Sequence, residues 1–431
     1  MRIFLPCSPI ALAACCAAAL ISCSAKPSPV TPPAFANPVT LKLSHPWAAE
    51  TDGNTIAFRQ VLGEYSRAYP GIRLEVDAVA QSYDQKLKTL LAAGEAPDIF
   101  MSWGGGFSRP IVDSGVALAL DAYLLDGTRD RILPGMLENF TYDKQVYALP
   151  TTLAVGTLFC NRELFEKLGV PLPESFDDLL TAAAVFNRKG IIPLIGGGKD
   201  LWPLMFYYDI LALRTAGIRT CKEALNSVAS FDQPGFIDAA ARLQQLVRAG
   251  VFNANAVRLS WDEAVATFTR GTVAMLYNAT WVGGVIESPD SGVKGKIVAR
   301  AFPLITGGKG TANEFMGGAV DCLMVSAKSS ARAEAVQSVK FLAEHMARDS
   351  YSSGSGIPAW KVDGVDATHV SPLLLQQVAM VGKAAGFLEW WDTYLGGDAA
   401  TTHKNLVVQL FDLRISPQQF ARSMQQLNVG K

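Results

Sequence analysis

The chain has 431 residues, 49% of them hydrophobic and 18% charged, with a formal net charge of −1. That length supports two domains of ordinary size, and the near balance of charge offers no broad basic face to nucleic acid or to an anionic membrane. Beyond the N-terminal stretch, no apolar run approaches the roughly 20 residues of a membrane span without a charge, glycine or proline.

The first element is a leader. Arg2 precedes an apolar stretch that closes on Leu20-Ile21-Ser22-Cys23. A small residue and then cysteine after such a stretch is the pattern of a bacterial lipoprotein signal, in which the thiol takes the lipid and the freed amine becomes the N-terminus. Residues 1–22 are therefore expected to be a signal peptide and Cys23 the lipidation site. Five prolines with Ser, Thr and Ala fill residues 25–38, so 23–39 reads as a disordered tether. The body is expected outside the cytoplasm, touching the membrane through its N-terminal lipid only. Ser24 after the cysteine fits a cell with one membrane best. Cys160, Cys221 and Cys322 remain in the body, too few for a disulfide scaffold; one bridge among them stays open.

Strand and helix then alternate. Residues 39–44 form a short strand, and 54–69 place Ile56, Ala57, Val61, Leu62 and Tyr65 on a helical face. Pro70-Gly71 stops that helix. Residues 72–79 alternate as a strand, 83–93 form a second helix, and 98–102 form a third strand that ends at Trp103-Gly104-Gly105-Gly106. This start predicts a parallel sheet with ligands at the carboxyl ends of its strands. Residues 145–150 and 151–160 then read as strands that carry the chain to a second unit. Helices follow over 162–168, 175–186, 236–249 and 262–269, strands over 272–276 and 319–325, and an amphipathic helix over 331–347.

Four segments in order carry a resemblance. They are Gly94-Glu95-Ala96-Pro97-Asp98-Ile99-Phe100; Phe159-Cys160-Asn161-Arg162-Glu163-Leu164-Phe165 with Ser175-Phe176-Asp177-Asp178-Leu179-Leu180; Phe268-Thr269-Arg270-Gly271-Thr272-Val273-Ala274-Met275 with Trp281; and Gly317-Gly318 before Val325-Ser326-Ala327-Lys328-Ser329. Together they resemble the solute-binding proteins of ABC importers for sugars, the maltose-binding-like group, over roughly residues 40–360. The resemblance implies an α/β, two-lobe periplasmic-binding-protein fold of type II, with discontinuous lobes joined by a hinge. One lobe is expected to contain 40–148 plus 315–357, the other 150–312 plus 360–431. It also implies a monomer without cofactor or metal. Its ligand would be a mono- or oligosaccharide, delivered to the transmembrane permease subunits of an importer whose ATPase is a separate chain. Asn161 and Asp98 are expected to be structural.

The cleft lining is read from residue chemistry. Pyranose rings present apolar C–H faces to indoles and edge hydroxyls to polar groups. Trp47, Trp103, Trp202, Trp281, Trp360, Trp390 and Trp391 sit next to a glycine, a proline or a strand end. Trp47 and Trp103 follow strands at the ligand edge, and in the family a sugar-stacking Trp commonly falls where Trp281 stands. Neighbours on a helix point about 100° apart, so only one of Trp390 and Trp391 is expected to face sugar. Trp261 begins a helix and reads as packing. The polar candidates are Glu50, Asp52, Gln81, Tyr83, Asp84, Thr151, Asn278, Gly318 and Asp392; for each of them a solvated cap or surface charge is the competing reading.

Two rival functions stand against this one. A secreted carbohydrate-active enzyme would need paired carboxylates, but no G-x-S-x-G or H-E-x-x-H is present, and Gly196-Gly197-Gly198-Lys199-Asp200 lacks the P-loop spacing. A binder of polyamine or another non-sugar solute would share the two-lobe plan. His45, His345, His369 and His403 are scattered, which argues against zinc. Tyr207-Tyr208 is similar to the paired tyrosines of ferric-ion binders, but it follows an apolar run and reads as packing.

Overall fold

The structure is a computed structural model, and it describes residues 39–48, 53–79, 82–362, 364–366, 368 and 370–428. Cys23, Glu50, Asp52 and Gln81 lie outside the described residues.

The opening alternation folds as expected. Val39–His45 pairs in parallel with Ile72–Ala78 on one side and with Ile99–Trp103 on the other. Asp321–Val325 adds antiparallel to Ile99–Trp103, and Ala148–Pro150 completes a five-stranded sheet. The helix Gly53–Ala68 buries Ala57, Phe58, Val61 and Tyr65, one stripe of its surface, and stops before Pro70-Gly71. It packs on the helix Arg332–Ser353, where the Tyr65 hydroxyl lies 2.6 Å from Ser338 Oγ. Asp98 is structural: it accepts from the Lys42 amide at 2.9 Å and the Ser329 hydroxyl at 2.6 Å.

A second sheet is built around Thr152–Asn161, a strand whose ten residues are all buried. A strand covered on both faces reads as a continuous apolar run, and this one does. Val273–Ala279 and Glu314–Ala319 pair antiparallel with it. The helix Trp202–Ala216 runs through the core of this lobe, buried from Pro203 to Ala216. Tyr207 donates to the Ile195 carbonyl at 2.7 Å, and Tyr208 packs against Trp391 and Phe420, so the tyrosine pair is packing. Asn161 caps the helix Arg162–Leu168, and Ser175 with Asp178 forms a capping box on Phe176–Arg188. Cys160, Cys221 and Cys322 are buried and free.

Three of the passages between the sheets are short. Thr151 joins Ala148–Pro150 to Thr152–Asn161, Val320 joins Glu314–Ala319 to Asp321–Val325, and residues 354–356 lead from Arg332–Ser353 to Ile357–Pro358. The second passage falls later than the expected 312–315. Gly317, at φ 108°, lies so close to Ala154 that a Cβ there would sit 2.0 Å from the Ala154 carbonyl oxygen, and this approach holds Glu314–Ala319 in the second sheet. The third passage also departs from the expected split. Ile357–Pro358 pairs in the second sheet, after which Trp360 returns to the first lobe and donates to the Pro150 carbonyl at 2.6 Å.

Candidate ligand cleft

On the first lobe the parallel strands bring their carboxyl ends together, which places the residues that follow them on one edge. Trp47, two residues past the first strand, is 7% exposed and packs its ring 4.7 Å from Phe58. Its amide donates to His45 Nδ1 at 3.2 Å. Burial lowers the His45 pKa to about 4, so the ring is neutral and carries its proton on Nε2. That Nε2–H finds no partner among the described residues. Trp103 ends the third strand, half-buried, with Tyr83 edge-on at 5.9 Å and Phe107 at 4.8 Å.

Two candidates on this wall are engaged elsewhere. The Tyr83 hydroxyl lies 2.9 Å from the Ser44 carbonyl and 2.7 Å from that of Met101, and the residue is 3% exposed. It ties two strand ends together and backs Trp103 rather than offering a hydroxyl to ligand. Asp84 sits in the first turn of Tyr83–Ala93, 3.8 Å from Lys88. Thr151 stays at the hinge, its amide donating to the Asp321 carbonyl at 3.0 Å.

The second lobe gathers aromatic residues from five places in the chain. Trp202 begins the helix Trp202–Ala216 and Trp261 the shorter helix Trp261–Thr269, Trp281 precedes Val282–Ile286, Phe206 lies one turn along from Trp202, and Trp390 precedes Trp391–Leu395. Trp390 stacks on Phe206 at 3.5 Å and 7°, and both are 3% exposed. Phe206 and Trp202 each lie 6.3 Å from Trp281, and Trp202 lies 5.7 Å from Trp261. The indole N–H groups of Trp390 and Trp261 are buried without a partner among the described residues.

The structure separates Trp390 from its neighbour. Trp391 is fully buried among Tyr208, Phe231, Phe236 and His403, so its ring belongs to the core and has no face for a ligand. Its amide donates to Asp209 Oδ2 at 3.1 Å, and Asp209 Oδ1 lies 3.0 Å from His403 Nε2. Asp392 is paired with Lys404 at 3.5 Å. Asn278 is 1% exposed and turns its carbonyl onto the Ala279 amide at 2.8 Å. Gly318 is buried, and a Cβ there would be in ordinary contact with Asn139 Nδ2 at 3.6 Å and Phe387 Cβ at 3.9 Å.

The lobes touch beside these residues. The Phe107 amide donates to the Thr393 carbonyl at 3.0 Å. A Cβ on Gly106 would sit 2.0 Å from the Tyr394 carbonyl oxygen, and one on Gly105 would sit 2.1 Å from Glu389 Oε2. Glu389 is 8% exposed, and that oxygen has no hydrogen-bond partner among the described residues. Burial pushes its pKa up to about 7, with Lys222 only partly offsetting it. Sequence reasoning missed both Glu389 and Phe206. The signal for Glu389 was present: one acidic residue inside Phe387-Leu388-Glu389-Trp390-Trp391. Among the described residues no group of three or more His, Cys, Asp or Glu is arranged to hold a metal ion, and no helix is long and apolar enough to cross a membrane.

Known proteins share this architecture. The family described as bacterial extracellular solute-binding protein matches residues 51–349. The multiple sugar-binding protein of Streptococcus mutans is 25% identical over 366 residues, 80% of this chain and 82% of that one. A structure solved in work on xylan utilization by the thermophilic bacterium Caldanaerobius polysaccharolyticus is 42% identical, covers 90% of this chain and 99% of that chain, and superposes with a TM-score of 0.88. A chitin oligosaccharide binding protein is 25% identical, with coverage of 91% and 98% and a TM-score of 0.83.

Proposed function

The chain belongs to the bacterial extracellular solute-binding protein family, and we propose that it captures a neutral oligosaccharide between its lobes, of the β-linked class released from xylan. The observation that carries this reading is the clustering of indoles on both lobes, with Trp103, Trp202 and Trp281 only half-buried. Indoles pack on the apolar faces of sugar rings. The relatives named for sugars, xylan utilization and chitin oligosaccharide support the ligand class.

Trp47, Trp103, Trp281 and Trp390 are the proposed stacking residues, with Glu50, Gln81 and Gly318 proposed as polar or backbone contacts. Tyr83, Trp391, Asn278, Asp84 and Asp392 support the walls. A polyamine would need ionised carboxylates free to face it. Asp84 and Asp392 are paired with lysines, and Glu389 favours its proton up to about pH 7.

Binding closes the lobes, because ligand contacts both walls only in the closed form and so shifts the population toward it. The closed protein then docks on the permease of an importer, tethered to the same membrane through lipid on Cys23. Calorimetry with xylo-oligosaccharides, chito-oligosaccharides and spermidine tests the ligand class. Binding of spermidine and of no glycan would overturn it. Release of a Cys23→Ser variant into the medium, against membrane retention of the parent, tests the tether.

A further inference from the structure

The aromatic run of the second lobe changes character along its length. Phe206 and Trp390 are sealed, whereas Trp281, Trp202 and Trp261 are each only half-buried. Three clustered indoles are thus partly open to solvent at the end of an aromatic run that begins in the core, and contiguous exposed apolar surface marks binding sites. Core packing alone would be expected to bury them.

The outer pair is held in place by its own frame. Asp200 accepts the Trp202 amide on its carbonyl at 2.7 Å and the Trp261 amide on Oδ2 at 2.7 Å, so one residue positions both indoles. The loop beneath is pinned to the segment before Trp261, with the Gly198 amide donating to the Ala256 carbonyl at 2.6 Å and the Lys199 amide to that of Leu259 at 3.0 Å. Leu201, next to Trp202, is held at φ 64° and ψ −54°. A non-glycine residue rarely adopts that conformation unless its surroundings impose it, and such strain collects at binding sites. Trp261 also buries an indole N–H with no partner among the described residues. Trp261 packs against the neighbouring core as expected from sequence, but packing leaves its half-buried ring and unpartnered N–H unexplained.

We infer that Trp202 and Trp261 form an outer subsite for sugar units that run past the enclosed part of the cleft, so that this protein selects its ligand by chain length. The inference rests on the glycan reading above. The occupant is the far end of the same neutral glycan chain, because the pair is continuous through Trp281 with Phe206 and Trp390. Each added unit stacks an apolar ring face on an indole, and the Trp261 N–H donates to a hydroxyl.

The test is calorimetry with xylo-oligosaccharides of two to six units on the full chain and on Trp261→Ala and Trp261→Phe variants, with melting curves to check folding. The parent should bind the longer chains more tightly. Trp261→Ala should weaken binding of the six-unit chain by about tenfold while leaving the short chains within about twofold, and Trp261→Phe should keep most of the length preference. Equal weakening at every length, or a length preference unchanged in Trp261→Ala, overturns the subsite and leaves the glycan reading standing. A parent that binds none of the series overturns the glycan reading, and the subsite with it.

Discussion

The two walls of the proposed cleft are built on different plans. The first lobe sets Trp47 and Trp103 just beyond or at the ends of parallel strands, each braced by its own partners: Phe58 and His45 for Trp47, Tyr83 and Phe107 for Trp103. The second lobe fuses aromatics from residues 202 to 390 into one run that starts in the hydrophobic core. Trp47 belongs to the first lobe's core, so on that wall only the half-buried Trp103 should yield a variant that loses affinity and keeps most of its stability. A wall continuous with the core should lose both together.

The largest effect is therefore expected from Trp390→Ala. Removing a ring stacked at 3.5 Å on Phe206 leaves a cavity the lobe cannot refill, and should cost about 3–5 kcal/mol in urea denaturation along with ligand binding. Full stability in this variant would break the comparison.

Glu389→Gln comes next and depends on pH. The wild-type carboxyl is raised from 4.5 to about 7 by burial. Its protonated form is the buried one, so its contribution to stability is fully present below pH 4.5 and is lost as pH rises through 7. The variant should match wild type at pH 4 and exceed it by roughly 3 kcal/mol at pH 8. Equal stability at both pH values would show that the lobes part and hydrate the carboxylate.

Gly106→Ala should force the lobes apart, since its methyl would meet the Tyr394 carbonyl. An overpacked contact costs about 1–3 kcal/mol, read here as a larger radius of gyration in the unliganded protein by small-angle scattering.

Trp103→Ala should weaken glycan binding by about tenfold, roughly 1.4 kcal/mol, with a nearly unchanged melting temperature. A loss of stability as large as that of Trp390→Ala would erase the contrast between the walls. Asp392→Asn should be the smallest effect, about 0.5 kcal/mol of stability, because its partner Lys404 lies at 3.5 Å in a partly solvated pair.

Much of the first lobe was legible because its determinants are local. The apolar stripe of Gly53–Ala68, the stop at Pro70-Gly71 and the glycines after Trp103 specify helix, turn and strand end within a few residues. The places of Trp47 and Trp103 beyond or at the carboxyl ends of parallel strands follow directly. The same locality explains the misreadings. Tyr83 sits at a favourable helix start, but only the packed sheet brings the Ser44 and Met101 carbonyls within reach of its hydroxyl. Glu389 was not singled out, because its burial depends on Gly105 of the first lobe lying against its carboxylate.

The sequence by itself determined the α/β alternation, the helix caps at Asn161 and Ser175, the family motifs and the rule that only one of Trp390 and Trp391 can face the cleft. Tertiary structure alone sank Trp391 among Tyr208, Phe231 and His403 and stacked Trp390 on Phe206. It also decided that the chain crosses at Val320, that Phe206 joins the aromatic run, and that Glu389 lies at the lobe contact. Periodicity and capping depend on neighbours a few positions away, which a sequence displays. Contacts between residues 100 or more positions apart depend on how whole sheets and helices pack, and no local pattern encodes that packing.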